Sequence, residues 1–309
     1  MDLSVVIPLL NEQLSISLLY EEICKALKPT TENYELIFID DGSTDGSSDL
    51  IEILRSQDPR IKLIQFRRNF GKSAALSAGF KEASGKFIVT LDADLQDDPQ
   101  EIPHLLEKIQ TGYDLISGWK FPRHDPFSKT LVSKIFNKVV SSGTGVKLHD
   151  MNCGLKCYRQ EVVKDLRLHG EMHRFIPVLA SWKGFKVGEI KVRHFPRRFG
   201  KSKFGFTRFL RGFFDFITVY FITKYLKRPL HFFGGIGLLC FGAGLLINFY
   251  FGMQWLFGLP IRLRPLLTFS WILLIVGLQL VLMGLIGEMI AHGDRNRRDL
   301  YDIKRRLVD

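Results

Sequence analysis

Two stretches in the last third of the chain restrict its architecture more than any other feature. Leu230–Met253 and Leu266–Gly287 contain no Asp, Glu, Lys or Arg. About 20 apolar residues suffice for a helix to cross the hydrocarbon of a bilayer, and both runs are longer. Burying two such helices in a soluble core would need more apolar elements around them than the rest of the chain supplies. The pattern therefore predicts two transmembrane helices within a segment 229–290. Basic residues set their orientation. The intervening loop, Gln254–Pro265, carries Arg262 and Arg264. The outer flanks carry Lys224, Lys227 and Arg228 on one side and Arg295, Arg297, Arg298, Lys304, Arg305 and Arg306 on the other. This excess predicts that both flanks, and everything before them, are cytoplasmic. The expectation is a multi-pass protein of the inner (plasma) membrane with a basic cytoplasmic tail over 291–309.

Before residue 229 the sequence reads as an α/β domain, expected over 1–203. Strands are predicted at Leu3–Pro8, Glu35–Ile39, Ile61–Phe66, Phe87–Leu91 and Tyr113–Ser117, with a helix after each of the first four. Asn11 is placed to cap the first helix, which runs to about Leu27, and Asp45 or Ser43 the second. Gly71–Ala83 forms the third helix, and Pro99 opens the fourth in the favoured first-turn position. This alternation predicts a mostly parallel, Rossmann-like sheet covered on both faces. Further on, Phe127–Ser142 and His173–Lys183 read as helical, Asp150–Tyr158 as extended and Val187–Val192 as a late strand. Phe204–Leu226 is aromatic and apolar but interrupted by Arg208, Arg211, Asp215 and Lys224. That mixture suits an amphipathic helix in the membrane interface, about 204–228.

The formal net charge is +11. A basic excess can serve nucleic acid, anionic lipid or phosphorylated substrates. Its position decides between them: from Arg193 to Arg228 there are ten Lys or Arg and a single acid, Asp215, directly before the apolar runs. Membrane lipid is the partner this placement predicts. The sequence shows neither zinc-finger spacing nor an RNA-binding aromatic signature, so no nucleic acid is expected. Cys24, Cys153, Cys157 and Cys240 form no CxxC pair, which suggests a reducing compartment rather than a disulfide framework or a zinc site. Met1–Glu12 has no basic n-region or long apolar h-region, so no signal peptide is expected there.

In an open α/β sheet, ligands bind outside the carboxyl ends of the strands. Asp40 and Asp41 end the second predicted strand, and Asp92 and Asp94 follow the fourth. Asp92, Asp94 and Gln96 offer oxygen ligands from alternate residues, a donor set that suits Mg²⁺ or Mn²⁺. The plainer reading is that Asp94 or Asp97 caps the helix at Pro99. No GxGxxG follows the first strand and no GxxxxGK[ST] occurs, which disfavours a dinucleotide oxidoreductase and a P-loop NTPase.

Four segments carry a resemblance: Val6-Ile7-Pro8-Leu9-Leu10-Asn11-Glu12, Asp40-Asp41-Gly42-Ser43-Thr44-Asp45, Arg68-Asn69-Phe70-Gly71-Lys72 and Asp92-Ala93-Asp94-Leu95-Gln96-Asp97-Asp98-Pro99. Together they resemble family 2 glycosyltransferases of the GT-A fold. The subgroup is that of dolichol-phosphate mannosyltransferase and the bacterial two-span polyisoprenyl-phosphate glucosyltransferases. The resemblance implies transfer of a sugar from a nucleotide sugar, UDP-glucose first, to a polyisoprenyl phosphate such as undecaprenyl or dolichyl phosphate. It implies a nucleotide pocket lined by Pro8, Asn11, Glu12, Asp41, Gly71, Lys72, Asp92 and Ala93, and a metal on the diphosphate held by Asp92, Asp94 and Gln96. Lys120, Arg123, Lys134, Arg197, Arg198, Ser202 and Lys203 fall where relatives hold the lipid phosphate, and Gly200-Lys201-Ser202-Lys203-Phe204 resembles their GxSK[YF] motif. Lys120 stands where many relatives have Arg. Asp150, Asn152, Gly154 and Lys156 resemble a D-x-N-x-G-[FL]-[KR] signature beside sugar and acceptor, with Asp150 either catalytic or structural. Asp94 is expected to act on the leaving group and Arg123 on the acceptor. Plainer readings make Glu12 a helix-start acid, Lys72 a solvated lysine and the basic stretch a headgroup patch.

Two other classes compete. A flippase or transporter component should carry polar or ionisable groups along a pathway, yet the two spans offer only His231, Asn248 and Gln279, with Glu288 at the edge. A non-catalytic membrane scaffold has no use for the retained Lys72, Asp92, Asp94 and Gln96. A processive polysaccharide synthase would want more spans and a QxxRW-type motif. Two short spans also leave side surface to cover, which makes a homo-oligomer an expectation without a subunit number.

Overall fold

A computed structural model describes residues 1–121, 140–141, 144–164, 166, 168, 170, 172–196, 217–218, 220–221, 225, 229–258 and 265–295. The chain divides into two compact units, Met1–Val219 and Tyr220–Asp309. In the first unit the described strands are β1 (Leu3–Leu9), β2 (Tyr34–Asp40), β3 (Ile61–Gln65), β4 (Phe87–Thr90), β5 (Leu115–Lys120), β6 (Lys156–Arg159) and β7 (Val187–Val192). Its helices are α1 (Gln13–Leu27), α2 (Ser47–Gln57), α3 (Lys72–Glu82), α4 (Ile102–Gln110), α5 (Gln160–Lys164) and α6 (Ile176–Trp182), with 3₁₀ turns at Pro99–Glu101 and Met172–Phe175.

The seven strands run in the order β3-β2-β1-β4-β6-β5-β7. All pairings are parallel except those of β6, which lies antiparallel between β4 and β5. The expected β-α alternation is therefore found from β1 to β4, but β5 does not sit beside β4. The segment read as an extended excursion supplies the intervening strand instead. Its four residues Lys156–Arg159 carry little pattern, and their pairing is non-local.

β1 and β2 are almost continuously apolar because both of their faces are covered. Leu3, Val5, Ile7 and Leu9 join Ile16, Leu19, Ile23 and Leu27 of α1 and Ile102, Leu105 and Ile109 of α4 in one buried cluster. Val6 and Ile39 point the other way, onto α3, so closely that a Cβ on Gly79 would stand 2.4 Å from Val6 Cγ1. A carboxylate lies well inside this apolar sheet, away from its edge. Glu35 of β2 is 1% exposed; it accepts hydrogen bonds from Ser4 Oγ (2.5 Å) and from Ser84 N and Oγ (both 2.8 Å), and pairs with Lys62 at 3.0 Å. Burial pushes its pKa up, but these donors more than offset it, so the carboxyl lies below its ordinary value.

The second unit contains α7 (Pro229–Leu256) and α8 (Pro265–Arg295). Each has an apolar window of which 17% is buried, unlike the core helix of a soluble protein, and each is long enough to cross a bilayer. They meet through glycines: a Cβ on Gly237 would lie 2.7 Å from Gly277 O, and one on Gly277 would lie 2.6 Å from Phe241 N. Small residues let the backbones approach where lipid supplies no hydrophobic drive. Asn248 Nδ2 donates to Ser270 Oγ (2.8 Å), Trp271 Nε1 donates to Asn248 Oδ1 (3.0 Å), and Leu230 N donates to Glu288 Oε2 (3.4 Å). Two of the polar groups noted in the spans, Asn248 and Glu288, thus tie one helix to the other. The helix expected over Phe127–Ser142 and the interfacial helix over 204–228 lie almost wholly outside the described residues.

Glu35→Ala should lower the stability of the detergent-solubilised protein by roughly 1–3 kcal/mol, because it leaves Ser4 and Ser84 without their acceptor, whereas Lys62 keeps Glu82 at 2.8 Å. Because the folded pKa of Glu35 is depressed, its contribution is present above the usual carboxylate range near pH ~4.3 and lost as pH falls through the folded value. Thermal unfolding against pH checks both: wild type and variant should converge in acid, and a constant gap would assign the effect to packing alone.

Candidate active site

Parallel strands end on one side of a sheet. The carboxyl ends of β1, β2, β4, β5 and β7 and the start of the antiparallel β6 therefore share one edge. Among the described residues, the two non-glycine positions with positive φ, Asn11 (53°) and Leu95 (58°), both lie in loops on this edge. Such backbone is strained for residues other than glycine and collects at functional sites. Asn11 does not cap α1 as expected. Its Oδ1 accepts from Thr44 N (2.8 Å) and its own N–H donates to Ser43 Oγ (2.8 Å), while Glu12 N donates to Ser47 Oγ and Gln13 N to Asp45 Oδ2, both 3.1 Å. These bonds stitch the β1 loop to the β2 loop. The N-cap of α2 is Gly46 rather than Asp45 or Ser43; Asp45, one residue before it, accepts from Ser47 N through Oδ1.

Asp40 and Asp41 are both buried. Asp40 accepts from Ser43 N (2.8 Å) and from Ser48 Oγ. Asp41 accepts from Phe70 N at 2.7 Å and from Gly71 N at 2.9 Å. Burial pushes the Asp41 carboxyl up, and the two amides oppose that shift. Its oxygens are thus engaged in holding the loop before α3, where Gly71 takes φ +92°. Gly42, at φ +81°, leaves no room for a Cβ, which would stand 2.6 Å from Arg68 C.

The loop after β4 alternates in burial: Asp92, Asp94 and Gln96 are half-buried, whereas Ala93, Leu95 and Asp97 are buried. Leu95 in the left-handed region keeps this alternation going past the end of the strand. Asp94 Oδ1 accepts from Gln96 N at 3.2 Å. Asp92 takes Lys72 Nζ on both oxygens, at 2.5 and 2.8 Å. The floor beneath it is Gly154, where a Cβ would come within 2.6 Å of Asp92 Cγ. Two residues on, Lys156 donates to Cys153 O, and burial lowers the pKa of its amine. Asp150 is 1% exposed, with Oδ1 accepting from Asn152 N at 3.0 Å. That bond lies within the 150–154 turn, and the other carboxylate oxygen is buried without a hydrogen-bond partner.

Burial lowers the pKa of Lys120, but the carboxylate of the buried Asp97, 3.3 Å away, more than offsets this and raises it. That pair gives its ammonium a counter-charge within the protein. Asp97 does not cap the following turn; Asp98 does, accepting from Gln100 N at 2.9 Å. Arg123, Lys134, Arg197, Arg198, Ser202 and Lys203 lie outside the described residues. The sequence marks His173–Lys183 as helical, but its spacing does not show that the buried Met172–Phe175 turn reaches the site. Ser73 Oγ lies 3.0 Å from His173 Nδ1 and accepts from His173 N at 3.1 Å, which fixes the turn behind Lys72. Burial first, then Lys72 and Arg174, keeps His173 well below its ordinary pKa. The only sequence signal was a His-Arg pair in an apolar context.

The Glycosyl transferase family 2 model matches residues 4–167. A dodecaprenyl-phosphate galacturonate synthase of Rhizobium johnstonii is 37% identical over 297 residues, covering 94% of this chain and 88% of that protein. The chain belongs to glycosyl transferase family 2. A second relative of this family 2 glycosyltransferase is the undecaprenyl-phosphate 4-deoxy-4-formamido-L-arabinose transferase of Photorhabdus laumondii, 35% identical over 99% of this chain and 94% of that one. The fold is GT-A: glucosyl-3-phosphoglycerate synthase from Mycobacterium tuberculosis, solved with Mn²⁺, UDP-glucose and glycerol 3-phosphate, superposes with TM-score 0.53 at 19% identity, over 72% of this chain and 79% of that one.

Gly154→Ala in this glycosyltransferase adds one methyl group at 2.6 Å from Asp92 Cγ and must displace that carboxylate. Since a shift of ~1 Å at a reacting centre can cost about 100-fold, transfer should fall by at least ~10-fold with the thermal midpoint nearly unchanged. Wild-type turnover in this variant would remove Asp92 from the chemistry.

Proposed function

We propose that this enzyme transfers a sugar from a nucleotide sugar to a polyprenyl phosphate at a membrane surface, with inversion at the anomeric carbon. The observation that carries the reading is the extent of the likeness: relatives named for polyprenyl-phosphate sugar transfer align over 94–99% of this chain, the two apolar helices included. The donor suggested by the family resemblance is UDP-glucose, and the names of the relatives add galacturonate and 4-deoxy-4-formamido-L-arabinose as sugars to test. The basic asymmetry around the spans supports a cytoplasmic catalytic unit.

A divalent cation fits the residues at the β4 loop. Asp92 and Asp94 present hard oxygen donors, and Gln96 adds an amide oxygen. That donor set suits Mg²⁺ or Mn²⁺, ions usually held by one or two carboxylates with substrate phosphates and water. When bound, the cation would offset charge on the leaving diphosphate. Lys72, already against Asp92, would add a cation beside that diphosphate. Pro8, Asn11, Glu12 and Ala93 would shape the nucleotide pocket, with Asp41 acting through the Phe70–Gly71 amides.

The acceptor sets the rest of the mechanism. A lipid monophosphate near neutral pH is already ionised, so its oxygen attacks the anomeric carbon without a strong general base. The bond from that carbon to the diphosphate breaks, and the nucleoside diphosphate leaves with the electron pair. The enzyme's work is alignment and charge stabilisation. Arg123, Arg197, Arg198, Ser202, Lys203 and Lys134 are proposed to hold the acceptor phosphate, Arg through its planar fork. Asp150 is proposed to act by holding the loop that supports Asp92.

Radiolabelled transfer from a panel of nucleotide sugars into organic-extractable undecaprenyl phosphate tests the reading. One donor should label the lipid. Asp94→Ala should lower that rate by at least ~100-fold while leaving membrane insertion intact, and excess chelator should do the same. Full activity of the variant or under chelation would discard the metal assignment; no labelled lipid with any donor would discard the function.

A further inference from the structure

The start of α3 is not capped in the usual way. A Ser, Thr, Asp or Asn before the first helical residue would satisfy one of the first-turn amides. Here that position is Gly71, at φ +92°, which has no side chain to offer. A Cβ on Gly71 would meet no atom within 4 Å, so the backbone on this side is open. The turn is held from elsewhere. Asp41 takes the Gly71 amide at 2.9 Å. Two residues on, Ser73 and the 3₁₀ turn Met172–Phe175 are joined twice: His173 N donates to Ser73 Oγ at 3.1 Å, and Ser73 Oγ lies 3.0 Å from His173 Nδ1. Both residues are buried, Ser73 at 2% exposed and His173 at 9%.

The chemistry of the two groups fixes the direction of the second bond. The Ser73 hydroxyl accepts from the backbone amide and has one proton to give. Burial, then the charges of Lys72, Arg174 and Lys156, keeps the imidazole neutral near pH 7, so Nδ1 can accept that proton. Such a pair resists displacement more than an apolar contact does, since a buried donor or acceptor left without its partner is penalised more than the bond itself contributes. Lys72, the first residue of α3, stands between the two held positions, Gly71 and Ser73. Its Nζ reaches Asp92 Oδ1 at 2.5 Å and Oδ2 at 2.8 Å. With its side chain 31% exposed, that ion pair by itself does little to set where α3 begins.

We propose that His173 is a positioning residue for Lys72: through Ser73 it fixes the first turn of α3, and with it the point from which the Lys72 ammonium reaches the donor diphosphate. This rests on the reading above that Lys72 stands beside that diphosphate. The effect of His173 on the reaction then passes through one side chain, which a general contribution to the core would not do.

The test is a double-mutant cycle on the full-length protein in detergent. It is read as turnover with undecaprenyl phosphate and the donor that labels it, and as calorimetric affinity for UDP plus Mn²⁺. Ser73→Ala should lower turnover by about ten-fold, less than the roughly 100-fold cost of a 1 Å misplacement, and weaken UDP–Mn²⁺ binding by about three-fold. In a Lys72→Ala background the same change should alter either readout by less than about two-fold, because the group it places is gone; sites acting independently would lose the full factor again. His173→Asn, whose Oδ1 can stand where Nδ1 stood, should keep turnover within about three-fold of wild type, whereas His173→Leu, without an acceptor, should match Ser73→Ala. If His173→Leu does not fold, the Ser73→Ala cycle decides alone. Equal losses in the two backgrounds, wild-type behaviour of Ser73→Ala, or an Asn variant as impaired as a folded Leu variant would overturn the proposal and leave His173 a purely structural residue. Lys72→Ala with wild-type turnover and UDP affinity would instead overturn the placement of Lys72 beside the diphosphate, and this inference with it.

Discussion

A carboxylate placed at the end of a buried strand has lost part of its water and must find another source of positive charge or hydrogen-bond donors. Five carboxylates near the carboxyl edge of this sheet find partners in different ways, although Oδ2 of Asp97 and of Asp150 is buried without a hydrogen bond. Asp40 is settled by Ser43 and Ser48, Asp41 by the Phe70 and Gly71 amides, Asp92 by Lys72, Asp97 by Lys120 and His194, and Asp150 by the Asn152 amide. Each compensation draws a different loop toward the edge. The site is in this sense assembled by the demand of its own acids.

Local strain follows from the same demand. To keep Asp92, Asp94 and Gln96 half-buried while Ala93, Leu95 and Asp97 turn inward, the chain must continue an alternating pattern after the ladder has ended. Leu95 meets that need by adopting positive φ. Asn11 does the equivalent at the end of β1, where its side chain takes over the hydrogen bond of a neighbouring loop amide. Gly42, Gly71 and Gly154 serve the arrangement by lacking a side chain: two accept a left-handed backbone, and the third lets the β6 approach run directly under Asp92.

The two-helix unit applies a different solution. Glycine contacts bring α7 and α8 close, and Asn248, Ser270 and Trp271 satisfy one another across the pair. Polar side chains that would suggest a transport pathway in isolation are thus used internally. Large apolar side chains such as Leu238, Leu246, Phe249 and Met289 stay on the outer surface of the unit, as suits a hydrocarbon environment.

Much was legible from the sequence. Charge-free length alone indicated two helices able to cross a bilayer, since no local competitor forms from such runs. Apolar runs flanked by helical patterns indicated β1 to β4, because burial in a covered sheet writes itself into consecutive residues, and alternation over Val187–Val192 indicated the half-exposed late strand β7. The acids at the strand ends were visible as candidates for the same reason. What depended on tertiary structure was every non-local pairing. β6 is four residues long, and its place between β4 and β5 comes from hydrogen bonds to distant strands. Asn11 looked like a helix cap and became a bridge between loops, because Thr44, thirty-three residues away, competes for its oxygen. Lys120 is the counter-charge of Asp97, a partner twenty-three residues away, and the buried His173–Ser73 contact spans a hundred residues. Sequence records which groups need partners; only the folded chain, by bringing distant segments within ~3 Å, decides which partners they receive.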